Sequence, residues 1–517
     1  MATLQVERQT DSSLIAVDRF IQATRDSGYK STGSAISELI DNSIEAGARH
    51  VAIHLGTGVD GSPTVEVVDD GSGMDASTLC EALRFGGTTR FGSRSGLGRY
   101  GMGLPNSSVS QARRLEVVTW QRQSNVLGSY LDIDEIIAGK LATVPLPRPF
   151  ALPEIARQHG FAKGTLVRWL NCDRLDYRRS STLIEKLQHH LGRVFRHFLW
   201  KGLDLTINGV KVRPLDPLLV SKRSSVSGAS IFGSPLEFDL SIPLPGKQDA
   251  DVSGKVTVIF SLLPVSEWHS LSNDEKREQG ITKGAGMSII RGGREVDYGW
   301  WFFGDKRKEN YDDWWCCELQ FDPALDEVFG ITHTKQQIRP IADLVAALAP
   351  DIETTAKALN RHVRQAHEAL KFSSAAKPAE TVAAAREKLL PELTVKALPS
   401  SKTQFQKMAK RHPSLLGGSG GDPKHPQYSL IVESLKEPRI FQTLRDSNRV
   451  AVILNTEHAF YKRIYLPLSE ASEPSTQRFK QQVDLFLLAA ARAECMTKQG
   501  ANEFLGIWSD VLNTFLS

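Results

Sequence analysis

Long hydrophobic runs are missing from this 517-residue chain. No apolar stretch approaches the roughly 20 residues that a bilayer-spanning helix needs, so a membrane role is not expected. The opening residues, MATLQVERQTDSSL, carry neither a basic leader nor an apolar core, and no signal peptide is expected from them. Cysteine is sparse as well. Its five positions, Cys80, Cys172, Cys316, Cys317 and Cys495, are scattered or adjacent and lack the spacing of a zinc site or disulfide framework. They read as buried free thiols in a reducing cytoplasm. Neither sign of charge dominates: a net charge of +4 and a pI near 8.6 lean basic, too weakly to establish a nucleic-acid partner. No internal repeat is present. With 41% hydrophobic and 24% charged residues, the composition is that of a soluble globular protein. The length suggests about three domains at roughly 150 residues each.

Up to about residue 215, helical stretches alternate with short β-rich runs such as HVAIHL, TVEVVD and LEVVTW. LTINGVKV reads as a hairpin, because Asn208-Gly209 suits a type I′ turn. Residues 216–372 offer further strands in GKVTVIFSLL, GMSIIRGGREV and WWCCELQFD, then a helical run from IADLVAALAP to VRQAHEALKF, which suggests a second α+β domain. Residues 373–427 shift toward Ala, Pro, Ser, Gly and Lys and read as a flexible linker containing a helix at ETVAAAREKLL. Residues 428–517 form a smaller C-terminal unit of unknown role, ending in the helix TQRFKQQVDLFLLAAARAECM.

The chemistry-bearing residues gather in the first of these regions. SELIDNSIEAGA reads as a helix with an apolar stripe (Ile36, Leu39, Ile40, Ile44) opposite Glu38, Asp41, Asn42 and Glu45. Glu38 and Asn42 stand one turn apart on the same side. Taken alone, that polar face could be merely solvated. Next comes VEVVDDGSGMD, a strand running into Asp69, Gly71, Gly73 and Met74. An Asp-Gly surface turn would look similar. Paired glycines also let a flat ligand approach the backbone, while a nearby carboxylate can accept from an exocyclic amine.

The segment FGGTTRFGSRSGLGRYGMGLPNSS is too glycine-rich for a packed core, and its cations and free amides suit a polyphosphate. It is not a Walker loop, lacking Gly-Lys-Ser/Thr. Nor is it a Rossmann fingerprint, since no strand leads directly into it. AKGTLVRWL then puts Gly164-Thr165 at the head of a strand.

Glu38-x-x-x-Asn42, Asp69-x-Gly71-x-Gly73, Gly98-x-x-Gly101-x-Gly103 and Gly164-Thr165, in that order, resemble the four signatures of the GHKL ATPases: gyrase B, the ninety-kilodalton heat-shock chaperone, histidine kinases and MutL. The resemblance implies an α+β fold: a GHKL (Bergerat) α/β sandwich over residues 1–215, a transducer-like α+β domain over 216–372, a linker over 373–427 and a small C-terminal domain over 428–517. It implies ATP and Mg²⁺ as cofactors, with Asn42 on the metal and Glu38 as general base. Asp69 would receive the adenine amino group, supported by Thr165, beside Gly71, Gly73 and Met74. The backbone of Gly98, Arg99, Tyr100, Gly101, Met102 and Gly103 would wrap the phosphates, and residues 86–97 would form a lid. Asp41 and Glu45 are left as bystanders, and His189-His190 as a surface pair.

A phosphoacceptor helix ahead of the ATPase motifs, as a histidine kinase requires, is not seen. FDPALDEVFGITHTKQQIRP instead resembles the late transducer segment of MutL and especially MORC proteins, where a lysine in such a context reaches the ATP site; here that is Lys335. The whole most resembles prokaryotic MORC-like ATPases. This implies an ATP-gated homodimer acting on DNA, in phage defence or restriction-modification, with a nuclease or helicase partner. The alternative is a chaperone-like or signalling ATPase with a protein client. There is no Cys/Trp zinc module of the eukaryotic MORC kind and no metal motif of the MutL endonuclease tail.

Overall fold

The computed structural model describes residues 16–29, 31–87, 102–222, 228–243, 251–278, 286–331, 337–390, 398–412, 415, 427–471, 473–496 and 506. The chain divides into two compact units, Met1–Pro264 with Leu271–Leu359, and Val265–Ser270 with Asn360–Ser517.

The first unit is built on two sheets. Helices α1 (Val17–Ser27), α2 (Thr32–Glu45), α3 (Ala76–Leu83), α4 (Gly103–Val109), α5 (Ser180–Val194) and α6 (Arg196–Trp200) accompany strands β1 (His50–Thr57), β2 (Pro63–Asp69), β3 (Arg114–Arg122), β4 (Asn125–Asp132), β5 (Arg148–Pro149), β6 (Gly164–Leu170), β7 (Asp204–Ile207) and β8 (Val210–Lys211). The eight strands lie in the order β5-β4-β3-β6-β2-β1-β7-β8. β1 and β7 run parallel and the other neighbours antiparallel, so the sheet is mixed. Side chains alternate across it. Val51 and Ile53 join Ile36, Leu39 and Ile40 of α2 and Leu183, Leu187 and Leu191 of α5 in the main core. Ala52 points the other way, into a smaller cluster with Trp120, Leu166 and Phe161. The Asn208-Gly209 turn joins β7 to β8 with both φ positive, at 45° and 79°, as a type I′ turn demands.

The second sheet contains β9 (Ser230–Ile231), β10 (Leu236–Pro243), β11 (Asp251–Leu262), β12 (Met287–Arg291), β13 (Arg294–Gly299) and β14 (Trp315–Phe321), ordered β10-β11-β14-β12-β13 with β9 on β11. β12 and β14 are parallel. Buried charges join this sheet to α5 and α6. Arg193 and Arg196 hold Glu295 at 2.7 and 2.8 Å, and the fully buried Arg196 also grips Glu318 of β14, with Nε at 3.2 Å.

Helix α7 (Ala342–Arg386) runs from the first unit into the second. Residues 373–379, expected as the start of a linker, instead carry this helix through Pro378 into the helix expected at ETVAAAREKLL, and a further helix, α8 (Pro399–Arg411), lies within the same expected linker. Proline weakens a helix interior. Here tertiary burial decides, because Phe372, Ala376 and Ala379 enter the core of the second unit. That core surrounds the sheet β15 (Gln427–Glu433), β17 (Arg449–Asn455), β16 (Phe441–Asp446), in that spatial order. Val450, Val452 and Leu454 face Leu487, Leu488 and Ala491 of α9 (Pro474–Met496), while Ala451 and Ile453 face Phe405 and Met408 of α8.

All five cysteines are free thiols. Cys172, Cys316 and Cys317 are buried as expected, whereas Cys80 and Cys495 are only partly so. Among the described residues no helix is long and apolar enough to cross a membrane.

Candidate ATP-binding site

Helix α2 is capped by Ser31, whose Oγ accepts the Ser34 N–H at 3.1 Å. Its polar face is not merely wet: Glu38 is 3% exposed and Asp41 0%, while Asn42 is partly buried. Two polar rows stand side by side, Glu38 with Asn42 and Ser37 with Asp41, each pair one turn apart.

Glu38 meets the first residue of α4. A Cβ on Gly103 would overlap the Glu38 carboxylate, so with glycine there the acid can sit against the backbone where any other residue would make it shift. Tyr29 lies close to Glu38; burial and then that carboxylate's charge raise the phenol's pKa, so its hydroxyl stays protonated. Met102 precedes α4 as its N-cap residue.

A second cluster forms where β2 ends. Asp69 accepts the Ser43 hydroxyl at 2.8 Å and the Gly71 N–H at 2.8 Å, and it is paired in register with Thr165 of β6. Burial outweighs these neutral donors and pushes its pKa up to about 6. Asp70 does something different: its Oδ1 accepts the N–H groups of Arg49 and His50, an exposed clamp on the start of β1. Gly73 has φ +68°, and a Cβ there would overlap the Trp120 carbonyl. The Met74 N–H donates to Thr119 Oγ1 at 2.9 Å, and that oxygen lies 3.1 Å from Thr165 Oγ1. Asp69, Gly71, Gly73, Met74 and Thr165 are thus one constellation. Ser43 of α2 ties it to the helix that carries Glu38 and Asn42.

Gly98, Arg99, Tyr100, Gly101 and Lys335 lie outside the described residues. Ser43 and Thr119 were missed by the sequence reading. Thr119 left a faint signal as the lone polar residue within the apolar part of LEVVTW; Ser43 left only its place beside Asn42. His190 is not a plain surface residue: its ring packs on Gly33, and Nε2 lies 3.2 Å from Ser37 Oγ. Asp41, set aside as a bystander to the nucleotide, has a structural partner: Arg294 Nε lies 2.9 Å from its carboxylate.

A mixed sheet backed by helices, with a buried acid on the first long helix and a buried Asp before paired glycines, defines the class. Residues 29–165 match the family described as histidine kinase-, DNA gyrase B-, and HSP90-like ATPase, and the chain carries a GHKL ATPase domain there.

Beyond the class, the chain is related to MutL and MORC proteins at low identity. It is 24% identical over 239 residues to the DNA mismatch repair protein MutL of Shewanella loihica, covering 45% of this chain and 36% of that protein. With the MutL of an Anaeromyxobacter species it shares 31% over 119 residues, covering 22% and 19%. The ATPase morc-1 of Caenorhabditis elegans is 35% identical over 86 residues, covering 17% and 10%. The matched region therefore spans little more than a third of the length of these relatives at most.

Proposed function

We propose that this chain hydrolyses ATP with Glu38 as general base, and that it does so as an ATP-gated homodimer of MutL/MORC type acting on DNA. The observation that supports the catalytic part most directly is Glu38 itself: a buried carboxylate against the backbone of Gly103, one turn from Asn42. In hydrolysis a water oxygen bonds to the γ-phosphorus, the bond to the β–γ bridging oxygen breaks, and the water's proton passes to Glu38. ADP and phosphate leave. Asp69 would take the adenine amino hydrogen, with Ser43, Thr119 and Thr165 fixing its place. Gly71, Gly73 and Met74 give the base room along the backbone. Met102 and Gly103, with Gly98 to Gly101 before them, are assigned to the phosphates. Lys335 is assigned to the γ-phosphate by resemblance alone.

Mg²⁺ fits the donor set. Asn42 offers one hard amide oxygen, and Mg²⁺ habitually takes few protein ligands and completes its shell with phosphates and water. Among the described residues there is no group of three or more His, Cys, Asp or Glu that could hold a metal ion. Bound at Asn42, Mg²⁺ would neutralise charge growing on the phosphates.

Glu38→Ala should abolish nearly all turnover while Mg·ATP still binds, as read by phosphate release and nucleotide titration. Parental turnover in that variant would remove Glu38 from the role. For the dimer, a non-hydrolysable analogue should raise the light-scattering mass of the full chain, and ADP should do so poorly. The full chain is needed because a cut at residue 372 would fall inside α7. DNA as partner, and with it a place in phage defence or restriction-modification beside a nuclease or helicase, rests on the MutL and MORC kinship and the weakly basic balance. Affinity for plain duplex that falls steeply with salt would support it. Negligible binding at every salt concentration would not.

A further inference from the structure

The second polar row of α2 leads out of the ATP-binding domain. Asp41 is fully buried, and Arg294 Nε lies 2.9 Å from its carboxylate. Arg294 opens β13 directly after the Gly292-Gly293 turn, and its guanidinium sits 6.0 Å from the Phe195 ring. One turn back on α2, the Ser37 hydroxyl donates to Gly33 O at 2.8 Å, which leaves its oxygen to accept from His190 Nε2 at 3.2 Å. Burial, reinforced by Arg294, pushes the His190 pKa down to about 4, so this imidazole is neutral at physiological pH. Arg294 is therefore the cation that meets Asp41.

The same hairpin is anchored elsewhere. Glu295, the next residue, is held by Arg193 and Arg196 of α5 and α6, and Arg196 continues to Glu318 of β14. One face of β13 is thus tied to the back of the ATP-binding domain, while Arg294 reaches the helix that carries Glu38 and Asn42. Asp41 lies between those two in sequence, three positions after one and immediately before the other. A turn of α2 about its axis that moves Asp41 moves both. Asp69 and Thr165, by contrast, sit on strands whose register is set within the sheet.

We propose that Arg294 is a positioning residue for ATP hydrolysis: acting through Asp41, it fixes the rotation of α2, and hence the placement of Glu38 and Asn42, to the position of the second sheet. The second domain is coupled to turnover through this buried pair, in addition to anything it contributes to the nucleotide directly. This rests on the ATPase reading above.

The test uses the full chain with Arg294→Gln, Arg294→Lys, Asp41→Asn and the double variant Asp41→Asn/Arg294→Gln, each checked for folding by its thermal transition. Turnover should fall by about tenfold or more in each neutral single variant, with a clearly smaller loss of nucleotide affinity as Asn42 shifts with Glu38; the excess loss of rate is the signature of lost transition-state placement. Arg294→Lys should recover part of the rate. The double variant should be no slower than the worse single, because both remove one link. It also leaves no lone buried charge, so it serves if a single variant fails to fold. Amide exchange along residues 32–45 should quicken in the variants, in the absence of nucleotide. If the parent hydrolyses ATP and the folded variants match its turnover within about twofold, or lose rate and affinity by the same factor, the proposal is overturned while the ATPase reading stands. No hydrolysis by the parent would sink that reading and this proposal with it.

Discussion

Asp69, at the end of β2, and Glu318, in β14, are carboxylates buried to 5% and 2% exposure, yet their surroundings pull in opposite directions. Burial alone would raise both pKa values. At Glu318 the Arg196 guanidinium, helped by His197, outweighs burial and holds the carboxyl at about 2. Asp69 is met by neutral donors, with no salt bridge to it among the described residues, and it rises to about 6. The junction between sheets is satisfied from within, whereas the end of β2 keeps a carboxylate whose burial its neutral donors do not offset. Stability belongs to the first arrangement, whereas the second suits the ligand binding proposed for Asp69. The linkage signs follow. Glu318 stabilises the fold above its ordinary value of 4.5, and that contribution fades as pH falls toward 2. Asp69 does the reverse: its contribution is complete below 3.8 and is lost as pH rises through about 6.

The harshest way to break the contrast is Arg196→Met. It leaves Glu295 and Glu318 buried without their shared cation, a loss of ~3–5 kcal/mol that denaturant titration would show as a large drop in midpoint. An unchanged midpoint would mean that the junction does not depend on this charge. Asp69→Asn should do the opposite. At pH 8 it removes a carboxylate whose ionisation in the fold costs ~3 kcal/mol, so the nucleotide-free protein should melt higher. Nucleotide affinity should fall about ten- to a hundredfold with loss of the charged acceptor. At pH 5 the two proteins should differ far less, since Asp69 is already protonated there.

A gentler probe needs no substitution. Titrated downward, the parent should lose nucleotide affinity reversibly through about pH 6, while Glu318 stays ionised and the fold persists. A flat affinity from pH 8 to 5 would contradict Asp69 as the adenine acceptor. The smallest effect is expected from Ser43→Ala. Losing one donor worth ~1 kcal/mol should move the midpoint of that pH profile upward by somewhat less than one pH unit.

Much of this was legible in the sequence, for identifiable reasons. The four ATPase signatures are local: each is a few residues long, and spacing on a helix or turn conveys its geometry without knowledge of the fold. Glu38, Asn42, Asp69 and the glycines after it could be read that way. Strands such as HVAIHL and TVEVVD announced themselves by β-branched content, and Asn208-Gly209 by its turn chemistry. What could not be read depends on register or on distant partners. Thr119 matters because β3 and β6 align it with Thr165. Asp41 matters because β13, far along the chain, delivers Arg294. The segment around Pro378 reads as linker by composition, and only the burial of Ala376 and Ala379 shows why a helix passes through it.

Ten of the fourteen residues of α2 are buried: some against the sheet, Glu38 against Gly103, and Asp41 against Arg294. The consequence is evolutionary as much as mechanical. A helix with one solvated face can drift, because half its positions tolerate exchange; α2 has little such slack. In a saturation library selected for activity, its codons should come through almost unaltered, while the far side of α9, with Phe479 and Phe486 exposed, accepts a wide range of replacements. A domain built this way leaves more room to change what it is attached to than to change this one helix.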